Sequence, residues 1–275
     1  SISIACSTFR VYGYILAPLR LVSSDEVTAN NSSELTCLVG NNQNMIIESF
    51  MSNEHIPTAI SGLAIRMMKY DAIIRDIINE LRISYVLKKS DFHISLAGKS
   101  KAEKDIIISL LQDMYGVISV LHYTPETELL NGKIIFSPKA QMFMTGQYLE
   151  IAVYEYAKLI VEELAGKHNK TYEIYRNVRV ATEEGILKNE FDLVIELNRT
   201  FYVVEIKSGK NFREFDKYMY IGQEYKIVPN RFLLVDNYLT DANAETVEYF
   251  CDYYVSNLSG ESLKAKIVTM IENDI

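Results

Sequence analysis

The sequence predicts an α/β protein built in two parts, and three observations support this prediction. Short apolar segments alternate with amphipathic segments along the 275 residues, a pattern typical of strands connected by helices. A polar segment containing glycine and proline, residues 124–146, interrupts that pattern near the middle of the chain. Residues 146–275 carry 15 Lys and Arg against 22 Asp and Glu, so most of the net charge of −8 lies in this half. We therefore expect one domain over residues 1–140 and a second over residues 141–275.

The first part is expected to contain alternating strands and helices. The predicted strands are residues 35–40, 91–98 and 117–124, and the predicted helices are residues 44–53, 63–83 and 101–116. Residues 63–83 repeat their apolar side chains every three or four positions, which predicts one long amphipathic helix. Because a helix is the usual connection between parallel strands, this alternation favours a parallel sheet.

The second part is expected to form a smaller α/β unit with the order helix, three strands, helix, strand, helix. The predicted helices are residues 146–167, 212–227 and 241–257, and the predicted strands are residues 171–181, the two arms of a hairpin within 190–210, and 231–236. Gly166 lies near the end of the first of these helices, and the segment "TEEG" is expected to turn the chain after the first strand.

The hairpin segment "EFDLVIELNRTFYVVEIKSGK" places charged residues within apolar strands. If Asn198 and Arg199 form a two-residue turn, cross-strand partners have residue numbers that sum to 397, and Asp192 lies opposite Glu205. Side chains alternate between the faces of a strand, so Glu205 and Lys207 point to the same side. The opposite face is expected to be buried and consists of Leu193, Ile195, Val204 and Ile206.

This grouping of charges is typical of a site for a divalent cation. Two adjacent carboxylates repel each other unless positive charge lies between them, and magnesium prefers oxygen ligands. A nearby lysine can orient a metal-bound water and offset charge that develops on a phosphate. The alternative is a solvent-exposed strand edge on which an Asp–Glu pair and a Glu-x-Lys pair are tolerated.

Asp192, followed by Glu205, Ile206 and Lys207, resembles the motif of the PD-(D/E)xK nucleases, which are related to restriction endonucleases. That family also uses a glutamate from the preceding helix, and Glu150 in "GQYLE" matches it. A polar or aromatic residue often follows on the next helix, where Gln223 in "YIGQEYK" matches and Tyr220 and Lys217 are weaker matches.

The resemblance implies a role for each of these residues. Glu150, Asp192, Glu205 and the carbonyl of Ile206 would hold Mg²⁺ or Mn²⁺. Lys207 would position the attacking water, and Gln223 would orient the substrate or a metal-bound water. The implied activity is endonuclease hydrolysis of phosphodiester bonds, with DNA favoured over RNA as the substrate.

Residues 146–240 resemble more closely the nuclease half of CRISPR-associated CARF-domain nucleases, which join a Rossmann-like sensor to a PD-(D/E)xK effector. This resemblance implies a Rossmann-like, nucleotide-sensing N-terminal domain, activation by a cyclic oligoadenylate in antiviral defence, and a homodimer. The turn "LAGKSKAE" would contact the activator through Gly98, Lys99, Ser100 and Lys101. Asn41, in the loop that also contains Asn42 and Gln43, would form the other side of the cleft.

Two alternatives stay open at this point. One is a non-catalytic nucleic-acid-binding or assembly protein on an inactive nuclease scaffold, and the other is a nuclease whose N-terminal half binds protein or DNA. Composition predicts neither a membrane span nor a signal peptide, and the three scattered cysteines predict free thiols in the cytoplasm. The sequence leaves undecided whether the substrate is single- or double-stranded, and assigns no role to residues 1–23.

Overall fold

The chain forms a mixed α/β structure, seen in a computed structural model that describes residues 26–28, 38–39, 45–52, 56–210 and 212–274. The strands are β1 (Glu26–Thr28), β2 (Met45–Ser52), β3 (Asp91–Ser95), β4 (Ile118–Thr124), β5 (Leu129–Ile134), β6 (Tyr172–Thr182), β7 (Leu187–Leu197), β8 (Thr200–Lys207), β9 (Phe232–Asp236) and β10 (Tyr254–Ser256). The helices are α1 (Thr58–Lys69), α2 (Asp71–Val86), α3 (Lys101–Gln112), α4 (Pro138–Met142), α5 (Tyr148–His168), α6 (Asp216–Glu224), α7 (Asp241–Cys251) and α8 (Gly260–Glu272).

The described residues form two compact units. The first unit consists of residues 57–152, and the second consists of residues 153–274 together with the described residues between 26 and 56. The sequence suggested a division near residue 140, whereas the units divide within α5 and the second unit takes in β1 and β2. Residues 1–23 lie outside the described residues.

The first unit contains a three-stranded antiparallel sheet with the strand order β3–β5–β4. The prediction of a parallel, Rossmann-like sheet is therefore wrong for the described residues of this unit. The reason is β5, which lies inside the polar segment 124–146 and returns directly from β4 through a short turn. A short turn can connect only antiparallel strands, because parallel strands need a long crossover.

The single helix predicted over residues 63–83 is two helices, α1 and α2, separated at Tyr70. Tyr70 has φ −109° and ψ 23°, outside the helical range, although it still donates to the carbonyl of Arg66. The apolar spacing continues across the break, so periodicity alone did not reveal it. The buried positions of α2 include Ile74, Ile77 and Leu81, which recur at the helical spacing.

The second unit contains a seven-stranded sheet with the order β1–β2–β6–β7–β8–β9–β10. The strands from β1 to β8 pair antiparallel, whereas β8, β9 and β10 run parallel to one another. The strands β8 and β9 therefore end at the same edge of the sheet, and Lys207 lies beside Asp236 there.

Three predicted elements are wrong in detail. Within the predicted helix 44–53, Met45–Ser52 form strand β2 and not a helix, because their backbone pairs with β6 from Met45 beside Thr182 onward. Within the predicted strand 35–40, Leu38 and Val39 lie in a turn, and the other residues lie outside the described part. The predicted final helix 241–257 ends at Cys251, and β10 and α8 follow it.

The core of the second unit is apolar on both faces of the central strands. Val194, Val203 and Leu234 are fully buried in one cluster with residues from α6 and α7. Leu193, Ile195 and Val204 are also fully buried, as predicted for the inner face of the hairpin. Among the described helices, none is long and apolar enough to cross a membrane.

Candidate active site

The hairpin of β7 and β8 has the predicted turn and the predicted register. Asn198 and Arg199 both have positive φ, 51° and 66°, as a two-residue turn of the type I′ family requires. Leu197 pairs with Thr200 and Leu193 with Val204, so partner numbers sum to 397. This register fixes Asp192 and Glu205 as the next pair along the hairpin.

The side chain of Asp192 accepts a backbone hydrogen bond from β8 at the point where the regular strand pairing of the hairpin ends. Backbone pairing stops at Leu193 and Val204, and the N–H of Ile206 instead donates to Oδ2 of Asp192 at 2.7 Å. A carboxylate that accepts from a backbone N–H forms a strong, charge-assisted bond. This bond holds the Asp192 carboxylate against β8.

Glu205 and Lys207 complete a compact charged group on the same side of β8. Nζ of Lys207 lies 3.0 Å from Oε2 of Glu205 and 3.5 Å from Oδ2 of Asp192. Glu205 is 3% exposed, and its second oxygen, Oε1, is buried without a hydrogen-bond partner. A buried acceptor without a donor is costly, so this oxygen marks a position where a bound cation would be stabilising.

Burial and the neighbouring charges shift the pKa values of Glu205 and Lys207. Burial, reinforced by the neighbouring charge of Asp192, raises the pKa of Glu205 to about 8, with Lys207 and Lys217 opposing the shift. Burial works against the charged form of Lys207, but Glu205 and Asp192 outweigh it, and the pKa of Lys207 is raised. The ammonium therefore stays charged, and a further cation would favour ionisation of Glu205.

Helix α6 contributes Tyr218 to this group, a residue that the sequence analysis did not assign. Tyr218 is 2% exposed, and Nζ of Lys207 lies 5.8 Å from its ring centroid. The predicted residue of this helix, Gln223, lies on the exposed face, and Tyr220 is also largely exposed. The spacing of Tyr218, Ile221 and Tyr225 marks the inward face of α6 and could have identified Tyr218.

Glu150 lies in the first turn of α5 and belongs to the first unit. Its assignment as a metal ligand stays a prediction. Within residues 45–52, 56–210 and 212–274, no three His, Cys, Asp or Glu side chains are grouped so that they could hold a metal ion.

The predicted activator-binding turn forms the start of α3 in the first unit. Gly98 has φ 80°, and Ser100 caps the helix by accepting from the N–H of Glu103. The Glu103 side chain accepts from the N–H of Ser100 in return, so both are engaged in a capping box. Lys99 is half-buried and Lys101 is exposed. Asn41 lies outside the described residues.

The fold of this chain is similar to the folds of solved structures. No protein-family model matches the chain, and no curated protein matches it. Among solved structures, protein VC1899 from Vibrio cholerae is similar with a TM-score of 0.54 and 18% identity over 81% of this chain. Can2 from Sulfobacillus thermosulfidooxidans, solved in complex with cyclic tetra-adenylate (cA4), is similar with a TM-score of 0.51 and 14% identity over 81% of this chain. The match spans 58% of VC1899 and 57% of Can2.

Proposed function

We propose that the second unit is a metal-dependent endonuclease that hydrolyses phosphodiester bonds, with DNA favoured as the substrate. The observation that carries this proposal is the fixed group of Asp192, Glu205 and Lys207, in which two carboxylates converge on one ammonium at the end of β8. The buried, unpartnered Oε1 of Glu205 is the feature that a purely structural ion pair does not explain.

The residues of the group fit a magnesium or manganese ion. Asp192 and Glu205 supply the carboxylate oxygens that hard divalent cations prefer, and the carbonyl of Ile206 would add a third oxygen. When bound, such an ion polarises phosphoryl oxygens and lowers the pKa of a bound water. The expectation that Glu150 also serves as a ligand remains part of the proposal.

Lys207 would hold the water that attacks the phosphorus atom. Its ammonium is charged and fixed by Asp192 and Glu205, so it can orient a water oxygen and stabilise negative charge that develops on the phosphate. Hydrolysis joins the water oxygen to phosphorus and releases one ester oxygen as an alcohol. The bond from the N–H of Ile206 to Asp192 joins β7 to β8 beside this group.

The test is cleavage of supercoiled plasmid, single-stranded DNA and RNA with Mg²⁺ or Mn²⁺. We expect Glu205→Gln and Lys207→Ala to reduce cutting by at least about 100-fold, the scale at which one transition-state contact acts. Glu214→Gln, a change at an exposed acid outside the group, is the matched control and should leave cutting unchanged. Cutting that survives both substitutions would exclude this group as the active site.

We further propose that a cyclic oligoadenylate activates this nuclease and that the chain acts as a homodimer in antiviral defence. The support is the resemblance to CARF-domain nucleases and the likeness of fold to Can2, a protein solved with cyclic tetra-adenylate. Titration with cyclic tetra- and hexa-adenylate should stimulate cutting, and Lys99→Ala combined with Lys101→Ala should abolish the stimulation. Stimulation that persists in this double variant would place the activator elsewhere.

A non-catalytic scaffold is the second candidate. The described residues lack a three-ligand metal group, and Lys207 already neutralises part of the charge of the two carboxylates. This candidate predicts that calorimetry with Mn²⁺ detects no binding and that Glu205→Gln leaves every measured interaction unchanged. Saturable Mn²⁺ binding that Glu205→Gln removes would exclude it.

A further inference from the structure

Strand β6 contains a β-bulge at Asn177, a feature that the proposed mechanism does not use. Two residues of β6, Asn177 and Val178, oppose the single residue Phe50 of β2. Asn177 has φ 49°, in the left-handed region that glycine occupies at the first position of one common type of bulge. Asparagine adopts this region more readily than most other residues. Its side-chain nitrogen also donates to Sδ of Met51 at 3.7 Å, which joins the bulge to β2.

The bulge lies beside Asp192 on the next strand, β7. Partner numbers of β6 and β7 sum to 369 on both sides of this point, which places Asn177 across from Asp192. The pairing includes the other residues of β6 from Tyr172 to Val180 but skips Asn177. The pairing of β7 with β8 also stops just short of Asp192. In the described strands, Asp192 therefore lies at a gap in the pairing on both sides.

The buried side chains show that β6 and β7 both lose their regular alternation at this gap. Tyr175 and Val178 on β6 are three positions apart, yet both lie in the buried cluster that contains residues of α6 and α7. Phe191 and Val194 on β7 do the same. On a regular strand, residues three positions apart point to opposite faces. The backbone of each strand is therefore turned between these positions, where the bulge and Asp192 lie.

We propose that Asn177 is a positioning residue whose left-handed backbone sets the direction of the Asp192 carboxylate. A bulge increases the local twist of the strands and redirects a neighbouring side chain. The carboxylate is thereby aimed at β8, where it accepts from the N–H of Ile206 at 2.7 Å and lies 3.5 Å from Nζ of Lys207. Only the kinetic consequences of this proposal rest on the proposed nuclease function.

The first experiment is independent of activity and uses the metal-free protein. In protein labelled with ¹⁵N-isoleucine, Asp192→Ala removes the acceptor of the Ile206 N–H and defines how far the amide resonance of Ile206 moves. Asn177→Ala should move this resonance in the same direction, whereas Asn177→Gly, which tolerates positive φ, should keep it at the native position. The amide of Ile195, in the regularly paired part of β7, should stay in place in all variants and reports that the sheet is folded.

Two results of this experiment would overturn the proposal. One is an Ile206 resonance that stays at the native position in Asn177→Ala, because the left-handed backbone would then have no effect on Asp192. The other is a displaced Ile206 resonance in folded Asn177→Gly, which keeps the backbone conformation available. The second result decides the question even if Asn177→Ala fails to fold.

The second experiment measures kcat and KM for DNA cleavage. Asn177→Ala should lower kcat by about 10- to 100-fold with KM nearly unchanged, since a small displacement of a group at the reacting centre can cost about 100-fold. Asn177→Gly should cut at nearly the native rate. Asn169→Ala is the matched control, because Asn169 also has positive φ, 50°, but lies in the turn between α5 and β6. It should leave kcat and the Ile206 resonance unchanged.

The kinetic outcomes separate this proposal from the proposed function. An equal loss of kcat in Asn177→Ala and Asn169→Ala would overturn the role of Asn177, since any strained turn would then have the same effect. Native protein that cuts nothing, but in which the Ile206 resonance follows the expected pattern, would instead overturn the proposed nuclease function and support the positioning of Asp192 by Asn177.

Discussion

The Glu205 carboxylate lies in a buried environment that raises the free energy of its charged form. It is buried in a strand of the central sheet, one of its oxygens has no donor, and its pKa is raised to about 8 by burial and by Asp192. A side chain kept at such cost is more readily explained by binding than by stability, because apolar residues would pack there without loss.

The raised pKa of Glu205 predicts how stability depends on pH in the metal-free protein. Unfolded, this carboxyl releases its proton near pH 4.5, whereas folded it holds the proton to about pH 8. Its contribution to stability is therefore fully present below pH 4.5 and is lost as the pH rises through 8. Each pH unit in this window lowers the free energy of unfolding by up to about 1.4 kcal/mol.

Urea denaturation of native protein and of Glu205→Gln between pH 4.5 and 8.5 measures this contribution. As the pH rises, the free energy of unfolding of the native protein should fall relative to that of Glu205→Gln. Parallel curves across this range would contradict the raised pKa. Repeating the series with Mn²⁺ should reduce the slope of the native protein, because a bound cation favours the ionised carboxylate.

At the scale of elements, the two-residue turn determines the register of the β7–β8 hairpin. Asn198 tolerates positive φ better than most residues, whereas a β-branched residue there is strained. Asn198→Val should therefore lower the free energy of unfolding by about 1–2 kcal/mol. Urea denaturation beside Thr200→Val, a change in the adjacent strand position where β-branching is tolerated, checks this prediction. Equal stability of the two variants would show that the turn conformation is not what sets the hairpin.

The hairpin could be predicted from sequence because its determinants are local. The alternation of side chains and the two-residue turn both lie within residues 190–210, and together they place Asp192 opposite Glu205. Strand β2 could not be predicted in this way. Its apolar residues fit a helical spacing as well, and only pairing with β6, far along the chain, makes it a strand.

The rest of the candidate site depended on packing that sequence patterns do not specify. Gln223 and Tyr218 both lie on the predicted helix 212–227, and only the direction in which α6 faces the sheet distinguishes them. The antiparallel sheet of the first unit was hidden because β5 contains the polar residues Asn131 and Lys133. A hairpin rich in polar residues has the composition of a linker, so composition alone does not identify its strands.

At the scale of the second unit, the end of the described chain is tied back to the sheet. Arg231 donates to both carboxylate oxygens of Asp274, from Nε at 2.7 Å and from Nη2 at 3.2 Å. Asp274 also interacts with Tyr202, which is 1% exposed in β8, and burial together with this carboxylate raises the pKa of Tyr202. The bidentate pair therefore joins the segment after α8 to the start of β9.

Loss of this tie should destabilise the second unit. We expect Asp274→Ala to lower the free energy of unfolding by about 1–3 kcal/mol, because it leaves a partly buried guanidinium without its partner. Glu272→Ala is the matched control, since it breaks a more exposed pair with Lys167 and should cost less. Thermal melts of both variants measure the difference. A larger loss in Glu272→Ala would show that the tie to Arg231 contributes little.

The bond between Asp192 and the N–H of Ile206 has a consequence for how the proposed cleavage activity would be lost over evolutionary time. An asparagine at residue 192 keeps an oxygen that accepts from Ile206 but lacks the negative charge that attracts a cation. Alanine removes both. A lineage that no longer needs cleavage would therefore drift to asparagine more readily than to alanine, and its descendants would keep the hairpin intact. In such descendants, the identity of this one side chain would separate a chain that can hold the proposed cation from one with the same fold that cannot.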